Sequence, residues 1–103
     1  MIISSQHYID FDTVDEKIAE IENKNTVEIP VVFAGEIDDE KYYIMIDGHH
    51  TYQAAKEIGI EIKFDEKERS EYNISKDATL AEVLEQNWLD GDWYDVETGN
   101  IAF

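Results

Sequence analysis

A small α+β domain, a mixed β-sheet with three helices, is the fold class this sequence predicts. Three observations carry that expectation. Strand-like runs of branched and aromatic residues occur at 31–34 and 41–46, and apolar residues alternate with polar ones over 60–64. They recur at helical spacing near residues 13–23, 51–58 and 78–88. A chain of 103 residues, 43% hydrophobic and 12% aromatic, supports one modest core and is too short for two. The whole of 1–103 is therefore expected to be a single domain.

Residues 2–9 are short, mixed and β-tolerant, and read as an edge strand. Asp12 or Thr13 suits the N-cap of the first helix, with Asp15 and Glu16 placed where the macrodipole favours acids. Val14, Ile18 and Ile21 then give that helix one apolar stripe. Residues 27–35 read as a strand entered through Pro30, which cannot donate in a central ladder. Asp38, Asp39 and Glu40 form a turn, and residues 41–46 return as the second strand of a hairpin. A helix over 51–58 follows, and Gly59 suits its left-handed C′ position. Ile60, Ile62 and Phe64 alternate with Glu61, Lys63 and Asp65 in a half-buried strand. Residues 66–75 read as loop. Asp77 or Ser75 is the expected cap of a last helix whose apolar face is Leu80, Val83, Leu84 and Trp88. In the tail, Gly99 sits in a turn between two short β-like pieces.

Charge is the outlier in the composition. There are 25 acidic residues against 8 basic ones, for a net charge of −17. Residues 1–40 hold 11 acids and 2 bases, residues 41–64 hold 3 of each, and residues 65–103 hold 11 acids and 3 bases. Two acidic flanks thus enclose a neutral centre. Such flanks repel phosphate backbones and attract basic clefts over a Debye length of roughly 8–10 Å, so direct DNA binding is not expected. No apolar run approaches the roughly 20 residues that span a bilayer, and the N-terminal residues have no signal-like block. A cytoplasmic protein, in a bacterial host cell, is the expectation. With no cysteine there is no disulfide, thiolate metal site or thiol nucleophile.

The neutral centre holds the one segment with a recognisable layout. An apolar strand runs into Asp47-Gly48, then His49-His50-Thr51, and a helix opens at once. Backbone N–H groups at a helix start favour an anion, and Gly48 permits close approach. Residues 46–59, Ile-Asp-Gly-His-His-Thr-Tyr-Gln-Ala-Ala-Lys-Glu-Ile-Gly, resemble the signature of the ParB/sulfiredoxin superfamily. There a strand ends in a Gly-x-His-Arg or Gly-Glu-Arg-Arg turn, and a helix beginning with small residues follows. Ile29-Pro30-Val31-Val32 is similar to the strand that precedes that motif, so the resemblance covers about residues 12–65. A helix and an acidic aromatic tail, 66–103, lie outside it. The resemblance implies a phosphate or nucleotide site at Gly48, His49, His50 and Thr51. Thr51 stands where the family has arginine, so the bidentate phosphate clamp is missing. His49 stands where sulfiredoxins carry their cysteine, which excludes that reductase chemistry. No enzyme activity, cofactor or metal is therefore expected, and the phosphate site is read as vestigial. The plain alternative is that Gly48 is a turn glycine while His49 and His50 cap and pack the helix start.

Two functions compete. One is an acidic, non-enzymatic inhibitor, similar to the small phage proteins that block nucleic-acid enzymes, with anti-CRISPR inhibition of a Cas9-type nuclease as its specific form. Its partner-binding candidates are Asp38, Asp39, Glu40, Glu66, Glu68, Glu71, Asp90, Asp92 and Asp95, with Trp93 and Tyr94 as aromatic anchors among the carboxylates. The other is a ParB-like nucleotide-binding module, or another acidic interaction partner.

Overall fold

The computed structural model describes residues 1–103, and its elements follow the predicted order. They are β1 (Ile2–Ser4), α1 (Phe11–Ile21), β2 (Thr26–Ile37), β3 (Glu40–Ile44), α2 (His49–Ile58), β4 (Glu61–Lys67), a 3-10 turn (Arg69–Tyr72), α3 (Leu80–Gln86) and β5 (Tyr94–Asp95). The fold is α+β, with three helices on a mixed five-stranded sheet in the order β4-β2-β3-β1-β5. β2 runs antiparallel to β3 and parallel to β4, while β1 runs parallel to β3 and antiparallel to β5.

Asp38 and Asp39 make the β2–β3 hairpin, with φ of 50° and 68°. Two successive left-handed residues match the twist of the flanking strands, and Asp tolerates that region better than most side chains. On the β3 side of β2, pairing starts only at Val32, so Pro30 stands where that ladder asks for no donor. Alternation along β2 sends Val27 and Ile29 to one face and Val32 and Ala34 to the other. Val27 joins Val14, Ile21, Ala54 and Ala55 beneath α1 and α2. Val32 and Ala34 join Ile3, Ile44, Ile74, Val83 and Trp93 on the α3 side. The sheet is the middle layer. α3 lies so close to it that a Cβ on Gly35 would sit 2.7 Å from Leu80 Cβ.

Several local expectations are corrected. The first strand is internal, because β5 returns to cover its free side. Asp10, not Asp12 or Thr13, caps α1, its Oδ1 accepting from the Asp12 amide at 3.0 Å. α2 begins at His49, two residues before the expected start. Residues 66–75 are not all loop, since β4 runs on to Lys67 and a 3-10 turn follows. α3 is capped by Thr79, whose hydroxyl accepts from the Glu82 amide while the Glu82 carboxylate accepts from the Thr79 amide. That reciprocal pair is the Thr-x-x-Glu capping box, and it displaces Asp77 and Ser75.

The two tryptophans exchange roles. Asn87 ends α3 by placing its side-chain amide on the Val83 carbonyl at 2.8 Å, and Trp88 falls outside the helix, 56% exposed. Ser5 then captures the amides of Leu89, Asp90 and Gly91, which turns the chain and delivers Trp93 to the core at 7% exposure.

Candidate functional site

Gly48 carries φ +83° and serves as the N-cap of α2, a conformation that only glycine adopts freely. The Asp47 carboxylate accepts from its amide at 2.8 Å. His49 follows on the buried face of the first turn, 7% exposed, with its Nε2 2.6 Å from the Ser4 hydroxyl. Ser4 is itself fully buried in β1, so the first strand and α2 are joined by this bond. Burial pushes the His49 imidazole below its ordinary value of 6.5, although the nearby Asp47 carboxylate pulls it up. His50 turns the other way. Its Nε2 accepts from the Asp10 amide at 3.2 Å, which ties the start of α1 to the start of α2.

The structure thus brings Gly48, His49, His50 and Thr51 together around a small cleft, and adds Gln6 and Lys17 to its lining. Lys17 comes from α1, and only the tertiary packing of the two helices places it there. The cleft is about 170 Å³, below the roughly 300–1,000 Å³ of ordinary ligand sites. Both imidazoles have partners inside the protein. No group of three His, Asp or Glu side chains stands close enough to hold a metal ion.

His49 makes the fold pH-dependent. Well above pH 6.5 this side chain is neutral in both folded and unfolded chains, and its packing contributes in full. As pH falls below that value the unfolded chain takes up the proton first, so stability declines until the buried imidazole also charges. Relief of like-charge repulsion among the carboxylates acts in the opposite direction, but equally in a variant. Urea melts at pH 7.5 and 5.5 should therefore show a larger loss of stability on acidification in the parent than in His49→Gln. Equal losses would remove His49 from this role.

The acidic candidates do not form one surface. Asp38, Asp39 and Glu40 lie at the hairpin tip, exposed, and Glu40 faces the N-terminal amine at 3.5 Å. Glu66, Glu68 and Glu71 are exposed beside the end of β4, at one edge of the sheet. Asp90, Asp92 and Asp95 belong to the opposite edge, at β5 or in the segment leading to it. The Asp90 carboxylate accepts from the His7 amide at 2.6 Å and the Tyr8 amide at 3.2 Å. The first of these holds its carboxyl below the usual carboxylate range. Asp95 accepts from the Glu97 amide at 2.9 Å, so it shapes the tail turn.

Of the two aromatic anchors expected among these carboxylates, one is corrected. Trp93 is core. Tyr94 is half-buried, its hydroxyl donating to the Gln6 carbonyl at 2.7 Å and its ring set edge-on to His7.

No family model, curated protein or solved structure matches this chain.

Arg69, the one arginine of the sequence, is a feature that local pattern did not single out. Its Nε donates to the Phe33 carbonyl at 3.0 Å and its Nη2 to that of Ala34 at 3.1 Å. Its Nη1 donates to the carbonyls of Ser75, Lys76 and Ala78 at 3.0–3.2 Å. The guanidinium is spent inside the protein. What remains outside is seven lysines against 25 carboxylates, and three carboxylate side chains, Glu20, Glu40 and Asp65, have a cation within 4.0 Å.

Proposed function

We propose that the protein is a non-enzymatic acidic inhibitor that occupies a basic nucleic-acid-binding surface on a partner protein, with a Cas9-type nuclease as the target and a phage anti-CRISPR role. The observation that carries this reading is the unpaired charge. Of 25 carboxylates, 22 have no cationic partner within the molecule, and the one cation able to fork onto phosphate is turned inward. Such a surface repels nucleic acid and is complementary to the channels that hold it. Carboxylates then stand where phosphates would, and salt weakens the association by screening both sets of charges.

The nucleotide-binding reading has less support, because the cleft at Gly48–Thr51 is small and its imidazoles are engaged. In the inhibitor it is a scaffold feature, of the kind a ParB/sulfiredoxin-like ancestor would leave.

A cleavage assay tests the proposal. The protein should slow cleavage by a Cas9–guide complex at 50 mM salt and lose most of that effect by about 300 mM, as charge-driven association requires. The protein alone should not shift duplex DNA in a gel. Full cleavage at low salt with excess protein would reject the nuclease, and a shifted duplex would reject the mechanism.

A further inference from the structure

Two segments 82–86 residues apart in sequence are zipped together at the β5 edge. The Ser5 hydroxyl accepts from the Leu89 amide at 2.8 Å, and the Ser5 carbonyl accepts from Asp90 and Gly91 at 3.2 and 2.9 Å. In return Asp90 takes the amides of His7 and Tyr8, and His7 Nε2 lies 2.6 Å from the Asp92 carbonyl. These bonds fix the backbone, and every one of them is made by main chain, Ser5, His7 or Asp90. The large side chains of the zipper take no part. Tyr8 is 69% exposed, Trp88 56% and Leu89 42%, and none of the three belongs to a core cluster.

Large apolar side chains left in water on a rigid backbone are what an interface presents before its partner arrives. The backbone is already ordered, so docking would not incur that entropy. We infer that this end of the molecule is the docking surface for a basic protein partner, with Tyr8, Trp88 and Leu89 as anchors and Asp90 and Asp92 as the carboxylates beside them. The inference rests on the acidic-inhibitor reading and names the place where it acts. Charge complementarity selects the occupant, since a chain of net −17 disfavours a second copy of itself. Aromatic faces beside carboxylates suit a guanidinium above all. Its plane stacks on the ring while its N–H groups reach the acids, and it sheds water more readily than an ammonium.

The test is an NMR titration of the full chain with deca-arginine and, separately, deca-lysine at 50 mM salt. The Trp88 indole and the Tyr8 and Leu89 amides should move first, while the buried Trp93 indole serves as an internal control. Deca-arginine should bind at least fivefold more tightly than deca-lysine, and Tyr8→Ala with Trp88→Ala should weaken it at least tenfold. Should the double variant lose the Trp93 signal dispersion of a folded core, Trp88→Gln alone supplies the comparison. Binding that centres on residues 38–40 or 66–71, or that the variants leave intact, overturns this surface and leaves the basic-partner reading standing. No binding of either peptide rejects the basic-partner reading as well. A dimer in sedimentation that dissolves in Trp88→Gln would assign the patch to a second copy, and so overturn the inference.

Discussion

Replacing Arg69 with methionine is expected to lower the unfolding free energy by about 3–4 kcal/mol. β4 stops pairing with β2 at Val32–Lys67, and the next two β2 carbonyls, on Phe33 and Ala34, have the guanidinium as their partner instead. The same group gathers the carbonyls of Ser75, Lys76 and Ala78, which fixes the segment leading into α3. Methionine keeps the aliphatic stem and removes every donor. The outer carbonyls can turn to water, but the part-buried ones lose a charged partner, each at roughly 1–3 kcal/mol. Against a total stability of about 5–15 kcal/mol this is a large fraction, and it corresponds to a fall in Tm of roughly 12–32 °C for a domain of this size. Arg69→Lys should recover little, because one ammonium cannot span carbonyls on both sides. A methionine variant within 1 kcal/mol of the parent in urea melts would show that water replaces the guanidinium without loss.

The second large effect is expected in the cleavage assay. Asp92→Lys should weaken inhibition by about 2–5 kcal/mol, chiefly through faster dissociation, since it sets a like charge against the basic partner beside the anchors. Two distant triples should do less: Asp38→Asn, Asp39→Asn and Glu40→Gln at the hairpin, and Glu66→Gln, Glu68→Gln and Glu71→Gln at the β4 edge. They act through the long-range field, and each should slow association with a loss of about 1 kcal/mol or less. Asparagine is chosen at 38 and 39 because both residues hold positive φ. Asp90 and Asp95 are left alone because their carboxylates accept main-chain amides and hold the turns together. If Asp92→Lys and both triples inhibit like the parent, the carboxylates are not what the partner reads.

What the sequence revealed and what it hid follow a physical line. The strands around residues 31–34, 41–44 and 60–64 and the turn at Asp38-Asp39 were legible because each depends on neighbours within a few residues, although β3 stops at Ile44 and leaves Met45 and Ile46, expected in the strand, beyond its end. So was α2, which ends at Gly59 with φ +74°. The cap of α3 was equally local, and Thr79-x-x-Glu82 states it, but Asp77 and Ser75 compete for the same role in an acidic, polar stretch. Trp88 kept the helical spacing of Leu80 and Leu84, and nothing nearby announces that Ser5, more than 80 residues earlier, redirects the chain. The burial of His49 depends in the same way on Ser4, which arrives from β1. Arg69 looked like one more polar residue in a loop. Its partners come from β2 and from the approach to α3, and no local window contains both.

The β1 strand has a consequence for how the chain folds. Its partners are β3, some 40 residues on, and β5, some 90 residues on. Contacts of such separation form late, because the loops they close are long. Closing a loop of about 90 residues costs roughly 1.6 kcal/mol more entropy than closing one of about 15. The β2–β3 hairpin closes through two residues, and α1 and α2 lie in sequence on either side of it. Those four elements are expected to assemble first, with the two ends of the chain joining afterwards. β1 is the only sheet neighbour of β5, so loss of β1 is expected to release β5 with it and to open the core that Ile3 and Trp93 share.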